Sequence, residues 1–332
     1  MRGPRLPNRV APIPALLPRR QLSSSRTLLR HDKAHDDNDV VELAFSRHDP
    51  PETTSMKGPG PIIIMHGLFG SQRNNRTMSK TLAKDLSRPV YNLDLRNHGS
   101  SPHSPVHTYT AMARDVEHFL QRHQIPTPTL IGHSMGAKVA MTMALRRPAD
   151  YSAVVPVDNA PVDAVLASDF AKYVRAMREI EEHHPPVRRQ ADADRILAKY
   201  EPDLAIRQFL LTNLVKTSAH GHGHGHGHRS HGAEETSRLR FRIPVATLAK
   251  NLNNMADFPF KDPEAHQYKG PTLVVRGTKS HYVADETLPV IGAFFPRFEL
   301  LDVDCGHWVM SERFEEFRKG VVEWVGRVVD EQ

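Results

Sequence analysis

The sequence has one cysteine and no long apolar run, and both shortages exclude classes of protein. A single thiol, that of Cys305, cannot form a disulfide within the chain, and we interpret it as a small packing residue rather than a second nucleophile. No segment approaches the roughly 18 consecutive apolar residues of a membrane span, so stable membrane insertion is not expected. With 332 residues, 39% of them hydrophobic, the chain can still bury a large core in one or two domains.

The first 31 residues lack acidic side chains and lysine altogether. They contain seven arginines and three consecutive serines at 23–25, a composition typical of a mitochondrial transit peptide. We therefore predict a transit peptide and disordered leader over residues 1–38 and a mitochondrial location; a basic arm that contacts nucleic acid or anionic lipid is the alternative. Without those seven arginines, the 44 basic residues of the chain no longer outnumber its 38 acidic ones. The rest of the protein therefore predicts no nucleic-acid partner.

A G-x-S-x-G pentapeptide at residues 132–136 places Ser134 between a predicted strand and a predicted helix. Residues 129–131 form a short, largely apolar segment, and residues 137–146 are rich in Ala, Met and Leu. A nucleophile elbow needs this strand–turn–helix order, because the turn exposes the serine hydroxyl and small flanking residues let the strand and helix approach. Ser134 is therefore the candidate nucleophile, and an ordinary strand-to-helix loop is the alternative.

A serine hydroxyl needs a base to take its proton, and in this arrangement the base is expected downstream. Since the chain has 21 histidines, only their context can distinguish them. His307 follows the strand-like segment 298–303 and precedes a helix-like segment from about residue 311 to 328. A histidine on the loop after the last strand can reach over the serine, so His307 is the candidate base. An exposed loop histidine is the alternative.

The loop after an earlier apolar strand offers backbone donors for an oxyanion. Residues 61–65 form the predicted strand, and residues 66–71, His-Gly-Leu-Phe-Gly-Ser, form the loop. An oxyanion hole needs amide N–H groups rather than particular side chains. We predict one donor at Met135, directly after the serine, and the other at Leu68.

The acid of a Ser–His–acid triad has two candidates. The strand at residues 272–276 is followed by Ser280 where an aspartate would be expected, and a neutral hydroxyl cannot stabilise an imidazolium as a carboxylate does. Asp158 follows the strand at 152–157 and would lie beside the serine at the carboxyl end of the sheet. We favour Asp158 and keep Asp285 as the alternative.

Apolar runs of five or six residues alternate with helical stretches, which predicts an α/β fold with a mostly parallel sheet flanked by helices. Three segments, 66–71, 94–103 and 132–138, resemble one branch of the α/β-hydrolase superfamily. That branch contains abhydrolase domain-containing protein 11, YbfF-type bacterial esterases and fungal mitochondrial ethanol acetyltransferases. The resemblance extends from about residue 40 to 328. It implies an acid after the sixth strand of the family's sheet, in agreement with Asp158.

More than 100 residues separate Asp158 from the strand that begins at Thr272. Stretches at 169–182, 192–200 and 204–215 have the apolar spacing of helices. They predict a helical cap over residues 161–262, inserted between two parts of the hydrolase core at 39–160 and 263–332. Five side chains of this cap are candidates either for an acyl pocket or for the core of the cap: Met177, Phe209, Leu210, Leu214 and Phe241.

The predicted cap is interrupted by alternating His and Gly at residues 220–228. Such a tract can bind a transition metal, but glycine makes a preformed site costly. We interpret about 217–237 as a disordered loop with incidental metal affinity, and we predict no metal site.

Together these observations predict a serine hydrolase that cleaves carboxylic esters or thioesters of short to medium acyl chains and uses no cofactor. Its partner would be a small-molecule ester or thioester. An alcohol acyltransferase of the acetyl-CoA-to-ethanol type would use the same triad and is the first alternative. A catalytically weak mitochondrial interaction protein is the alternative from another class.

Overall fold

The structure is a computed structural model that describes residues 39–52, 58, 60–163, 168–217 and 237–330. The predicted leader at 1–38 and the His-Gly tract at 220–228 therefore lie outside the described residues. No helix in the described part of the chain is both long and apolar enough to cross a bilayer.

A seven-stranded sheet forms the centre of the fold. In chain order the strands of the described residues are Phe45–His48 (β1), Ile62–Met65 (β2), Val90–Leu93 (β3), Thr129–His133 (β4), Ala153–Val157 (β5), Leu214–Thr217 (β6), Arg238–Phe241 (β7), Thr272–Gly277 (β8) and Phe298–Val303 (β9). The order across the large sheet is β1-β3-β2-β4-β5-β8-β9. Within this seven-stranded sheet only β1 is antiparallel to its neighbour, so the predicted mostly parallel α/β sheet is confirmed.

The central strands are apolar on both faces because helices cover both sides of the sheet. Every residue of β2 is buried. Successive side chains of a strand point to opposite faces. Accordingly, Ile63 and Met65 belong to one hydrophobic cluster, whereas Ile62 and Ile64 belong to the cluster on the other face.

The helices lie in the connections between the strands, except the last two, which follow β9. They are Arg76–Leu86 (α1), Tyr109–Arg122 (α2), Met135–Arg146 (α3), Ser168–Glu182 (α4), Gln190–Leu197 (α5), Leu204–Leu211 (α6), Val245–Lys250 (α7), Leu252–Ala256 (α8), Leu288–Phe294 (α9), Val309–Glu312 (α10) and Phe314–Val328 (α11). Helix α3 is buried along nearly its whole length. Its small side chains allow this close packing, as at Gly136, where a Cβ would lie 2.4 Å from the carbonyl oxygen of Met65.

The strand order creates a crevice between β2 and β4. The chain leaves β2 toward β3 on one side and leaves β4 toward β5 on the other. Ligands of open parallel sheets bind where the connections diverge in this way, beyond the carboxyl ends of the strands. The loops after β2 and β4 carry Leu68 and Ser134, respectively.

The segment between β5 and β8 contains helices α4 to α8 and a two-stranded sheet of β6 and β7. The prediction of one helix over residues 204–215 is wrong at its C-terminal end. Helix α6 ends at Leu211, and Leu214–Thr217 pairs antiparallel with Arg238–Phe241. This pairing joins residues more than 20 positions apart, so local apolar spacing gave no sign of it.

Candidate active site

Ser134 occupies a strained turn between β4 and α3. Its backbone has φ 53° and ψ −111°, a region that side-chain-bearing residues rarely adopt. The Ser134 N–H donates to the carbonyl oxygen of Val157 on the neighbouring strand over 2.9 Å. The turn therefore adds one hydrogen bond to the β4–β5 pairing, while its strained backbone points the serine side chain away from the path of strand β4.

The structure brings Ser134, His307 and Asp158 into one hydrogen-bonded series. The Ser134 hydroxyl lies 2.9 Å from Nε2 of His307, and Nδ1 of the same ring lies 2.6 Å from Oδ2 of Asp158. A carboxylate can only accept, so Nδ1 carries the proton and the neutral ring leaves Nε2 free to accept from the serine. This is the tautomer that a general base facing a serine requires.

Asp158 is fully buried directly after β5, the fifth strand among the described residues. Its second oxygen, Oδ1, accepts the Gly277 N–H over 3.0 Å, so the carboxylate is held from two sides. The alternative acid, Asp285, lies elsewhere: its side chain is 82% exposed and pairs with Arg276. The structure thus brings Asp158, and not Asp285, to the imidazole.

The loop after β2 lies against the serine. A Cβ on Gly67 would be 3.0 Å from Nδ1 of His133 and 3.2 Å from Cβ of Ser134, so a larger residue here would displace these side chains. Within the described residues, the N–H groups of Leu68 and Met135 donate no hydrogen bond to another residue. Both predicted oxyanion donors are therefore available to a ligand at Ser134.

Two buried histidines hold this loop. His66 accepts the Leu95 N–H at Nε2 over 3.0 Å, and His98 accepts the Phe69 N–H at Nε2 over 3.1 Å. Each ring also donates from Nδ1 to a backbone carbonyl. Both imidazoles must be neutral to satisfy these partners, because a protonated ring would face an amide N–H with a second donor.

Two charged residues of the segment at 94–103 also form buried or half-buried contacts within the fold. Arg96 is fully buried and forms two hydrogen bonds, of 2.6 and 2.7 Å, with the equally buried Asp115. Asp94 accepts three N–H donors, two from Gln72 and one from Ser100. The segment at 94–103 therefore supports the loop after β2, and none of the contacts described for it reaches Ser134 or His307.

The buried histidines make the protein's stability depend on pH. Burial lowers the pKa of His107 to about 3 and, with help from His307, the pKa of His133 to about 4. Burial also lowers the pKa of His66 and lowers that of His98 further. In an unfolded chain the pKa of these groups is about 6.5. Between these values the unfolded state binds more protons, so the histidines stabilise the fold above about pH 6.5 and lose that effect as the pH falls.

We therefore expect the free energy of unfolding to decrease between pH 7.5 and pH 5, by about 2 kcal/mol for each of His107 and His133. Urea unfolding at several pH values would measure this slope. His107→Gln should make the slope shallower, whereas His118→Gln, at an exposed position, should leave it unchanged. Equal slopes in all three proteins would contradict this assignment.

His133, the second residue of the pentapeptide, is a site residue that sequence reasoning missed. Its Nε2–H donates to the His307 carbonyl oxygen over 2.8 Å, and its ring lies 4.9 Å from the His307 ring between centroids. The Tyr282 ring also stacks on His307, with the ring centroids 4.2 Å apart. The two neighbours hold the imidazole in position. The one sign of this role in the sequence is the place of His133 directly before Ser134.

Removing the His133 ring should therefore loosen the His307 loop. We expect His133→Ala to lower kcat by roughly 10-fold, the equivalent of one lost hydrogen bond of about 1.4 kcal/mol, with little change in KM. Steady-state kinetics on a soluble ester would measure kcat and KM separately. His281→Ala, an exposed neighbour of Tyr282, is the matched control, and an equal loss in both variants would argue against the positioning role.

Most of the candidate acyl-pocket residues pack within the core. Met177, Leu210 and Phe241 are buried members of the main cluster, and Leu214 packs against it. Phe209 packs against this cluster too, and its ring centroid also lies 4.6 Å from that of Trp308, the neighbour of His307. Of the five, Phe209 is therefore the one with a described ring contact to a residue beside His307.

The Cys305 thiol is enclosed by the fold and does not contribute a reactive group. Cys305 is buried, and burial raises its thiol pKa to about 11, so the thiolate is scarce at neutral pH.

Lys138, on α3, donates from Nζ to the carbonyl oxygens of Ala256 and Asp257 over 3.2 and 3.1 Å. Burial lowers the Lys138 pKa to about 8. This lysine joins the segment after β7 to the helix that follows Ser134.

Comparisons with known proteins find a family, relatives and a solved structure that match most of the chain. A profile of the family described as alpha/beta hydrolase fold matches residues 60–314. A probable alcohol acetyltransferase of Saccharomyces cerevisiae is 44% identical over 277 residues, 81% of this chain and 78% of the yeast protein. The sn-1-specific diacylglycerol lipase ABHD11 of Xenopus laevis is 35% identical over 91% of each chain. The solved structure of a marine microorganism esterase superimposes with a TM-score of 0.72 at 27% identity, over 85% of this chain and 99% of the esterase.

Proposed function

Because the chain belongs to the alpha/beta hydrolase fold family, we propose that it is a serine hydrolase that cleaves carboxylic esters or thioesters of short to medium acyl chains. The observation that carries this proposal is the hydrogen-bonded series of Ser134, His307 and Asp158. Its order along the chain, serine, acid, histidine, is that of α/β-hydrolases.

In the proposed mechanism, Ser134 Oγ attacks the acyl carbon while His307 Nε2 takes its proton. The resulting imidazolium donates from Nδ1 to Asp158, whose negative charge stabilises it. His307 then returns the proton to the leaving alcohol or thiol, which departs and leaves an acyl-serine. Water then gives a proton to His307 Nε2 and attacks the acyl carbon. The bond from this carbon to Ser134 Oγ breaks, the carboxylic acid leaves, and His307 returns the proton to Oγ.

The negative charge that develops on the carbonyl oxygen needs donors that are already in place. We propose the N–H groups of Leu68 and Met135 for this role. The contact between Gly67 and Ser134 and the absence of another acceptor for either N–H within the described residues support it. Amides held by the surrounding fold stabilise such a charge without reorganising.

Acyl transfer to an alcohol is the second candidate function. The relative with 44% identity, a probable alcohol acetyltransferase, favours it. The two reactions share the acyl-serine and differ only in whether water or an alcohol attacks it. An interaction protein that kept the fold without activity would not need the tautomer and contacts described for His307.

Two measurements test the proposal. A fluorophosphonate probe should label the wild type at Ser134 and should fail to label Ser134→Ala. A panel of acyl esters and thioesters of increasing chain length, run with and without ethanol, then separates hydrolysis from transfer by the ratio of free acid to ethyl ester. Absence of labelling together with absence of turnover on the whole panel would support the interaction protein instead.

For the location, we propose mitochondria on the composition of residues 1–31 alone. A reporter fused to residues 1–35 should enter mitochondria, and a reporter in which the seven arginines are replaced by glutamine should not. A cytosolic reporter in both cases would remove the proposal.

A further inference from the structure

Three arginine side chains, two of them exposed and that of Arg242 half-buried, line one open surface cavity of about 350 Å³ at the β1 edge of the sheet. Arg73 and Arg76 come from the turn before α1 and its first residue, and Arg242 follows β7 directly. Within the described residues none of the three forms an ion pair, although most arginines of that part of the chain do. We call this space the arginine cavity.

The arginine cavity has a surplus of positive charge. Asp94 is the only carboxylate among the described residues that line it, and its two oxygens already accept the three N–H donors of Gln72 and Ser100. His48 lines the cavity too. Burial, together with the charges of Lys80 and Arg76, lowers the His48 pKa. The electrostatic field in the cavity therefore opposes a further cation and favours an anion.

The arginine cavity lies next to the loop that contacts Ser134. Ser71, which lines it, is only three residues beyond Leu68. The backbone of Arg242 is tied to the same loop, because the Arg242 N–H donates to the Asn213 carbonyl and the Asn213 side chain donates to the Phe69 carbonyl, each over 2.8 Å. Strands β3 and β2 lie between β1 and β4. The distance from β1 to β4 is therefore three interstrand spacings, or about 14 Å.

We infer that the arginine cavity binds the phosphate group of a phosphorylated acyl donor whose acyl group is presented to Ser134. Guanidinium groups match phosphate oxygens in planar, two-pronged hydrogen bonds, and three of them can surround one phosphate. The separation from β4 requires a donor in which a flexible arm joins the acyl group to the phosphate. Only the presentation to Ser134 rests on the proposed function; the phosphate site itself does not.

Binding to a full-length Ser134→Ala protein tests the site without turnover, so the result does not depend on whether Ser134 is the nucleophile. The probes are coenzyme A, which carries phosphates at the end of a flexible arm, pantetheine, which is that arm without phosphate, and vesicles that contain phosphatidic acid. In this background, R73Q/R76Q/R242Q is compared by calorimetry with R178Q/R195Q/R297Q, which removes the same charge from exposed positions elsewhere.

We expect coenzyme A to bind more tightly than pantetheine and R73Q/R76Q/R242Q to weaken coenzyme A binding by at least about 30-fold, with a change below about 2-fold in the control. Both variants should keep a melting temperature within about 2 °C of the parent. If only the vesicles bind, and binding needs the same three arginines, the phosphate belongs to a lipid acyl donor. Equal binding by the two triple variants, or no binding of coenzyme A or vesicles by the parent, overturns the inference.

Discussion

Replacement of Ser134 by alanine should lower ester turnover by roughly 10⁴- to 10⁶-fold, the range expected when a triad nucleophile is lost. The Ser134 side chain makes its one described hydrogen bond to His307, so its removal leaves the imidazole without a group to deprotonate. The strained backbone at Ser134 is set by the β4–β5 pairing and not by the hydroxyl. The fold should therefore survive, and kcat measured beside a thermal melt would check both expectations.

Ser152→Ala is the matched control for this variant. Ser152 lies at the opposite end of the sheet, where its hydroxyl contacts Thr129 over 2.9 Å. It should keep nearly full turnover. If Ser134→Ala retained comparable activity while folded, another residue would have to be the nucleophile.

Replacement of Asp158 by asparagine should lower turnover by roughly 10³- to 10⁴-fold. The reason lies in the second contact of the carboxylate. The Gly277 N–H donates to Oδ1, so an asparagine would keep its carbonyl oxygen there and turn its NH₂ group toward His307. Nδ1 would then have to accept, the ring proton would move to Nε2, and the ring could no longer take a proton from Ser134.

Asp285→Asn is the paired control, because it also replaces one carboxylate by an amide. Asp285 is exposed and contacts Arg276, so its loss should change turnover less than about 2-fold. Measurement of kcat/KM for both variants on the same soluble ester compares the two losses directly. A large loss in Asp285→Asn with a small one in Asp158→Asn would reverse the assignment of the acid.

Local sequence patterns were sufficient for the parts of the molecule that depend on nearest neighbours. The elbow at Ser134 is encoded by small residues two positions to either side, and the strands at 129–133 and 298–303 by short segments rich in β-branched, leucine or aromatic residues. The acid could only be favoured, because Asp158 and His307 are 149 residues apart and meet through the alignment of three parallel strands. The overlong helix at 204–215 failed for a related reason, since Leu214–Thr217 finds its partner strand across the His-Gly tract.

The sequence by itself determined the fold class, the nucleophile elbow and the loop after β2, because periodicity and turn chemistry act over a few residues. Tertiary structure alone decided which carboxylate faces His307, how His133 and Tyr282 hold that ring, and that Arg73, Arg76 and Arg242 share one cavity. These groups come from different helices, strands and loops, and no local sequence pattern predicts how far apart they lie in the folded protein. The order and register of the strands bring them together once the apolar faces of the sheet are buried.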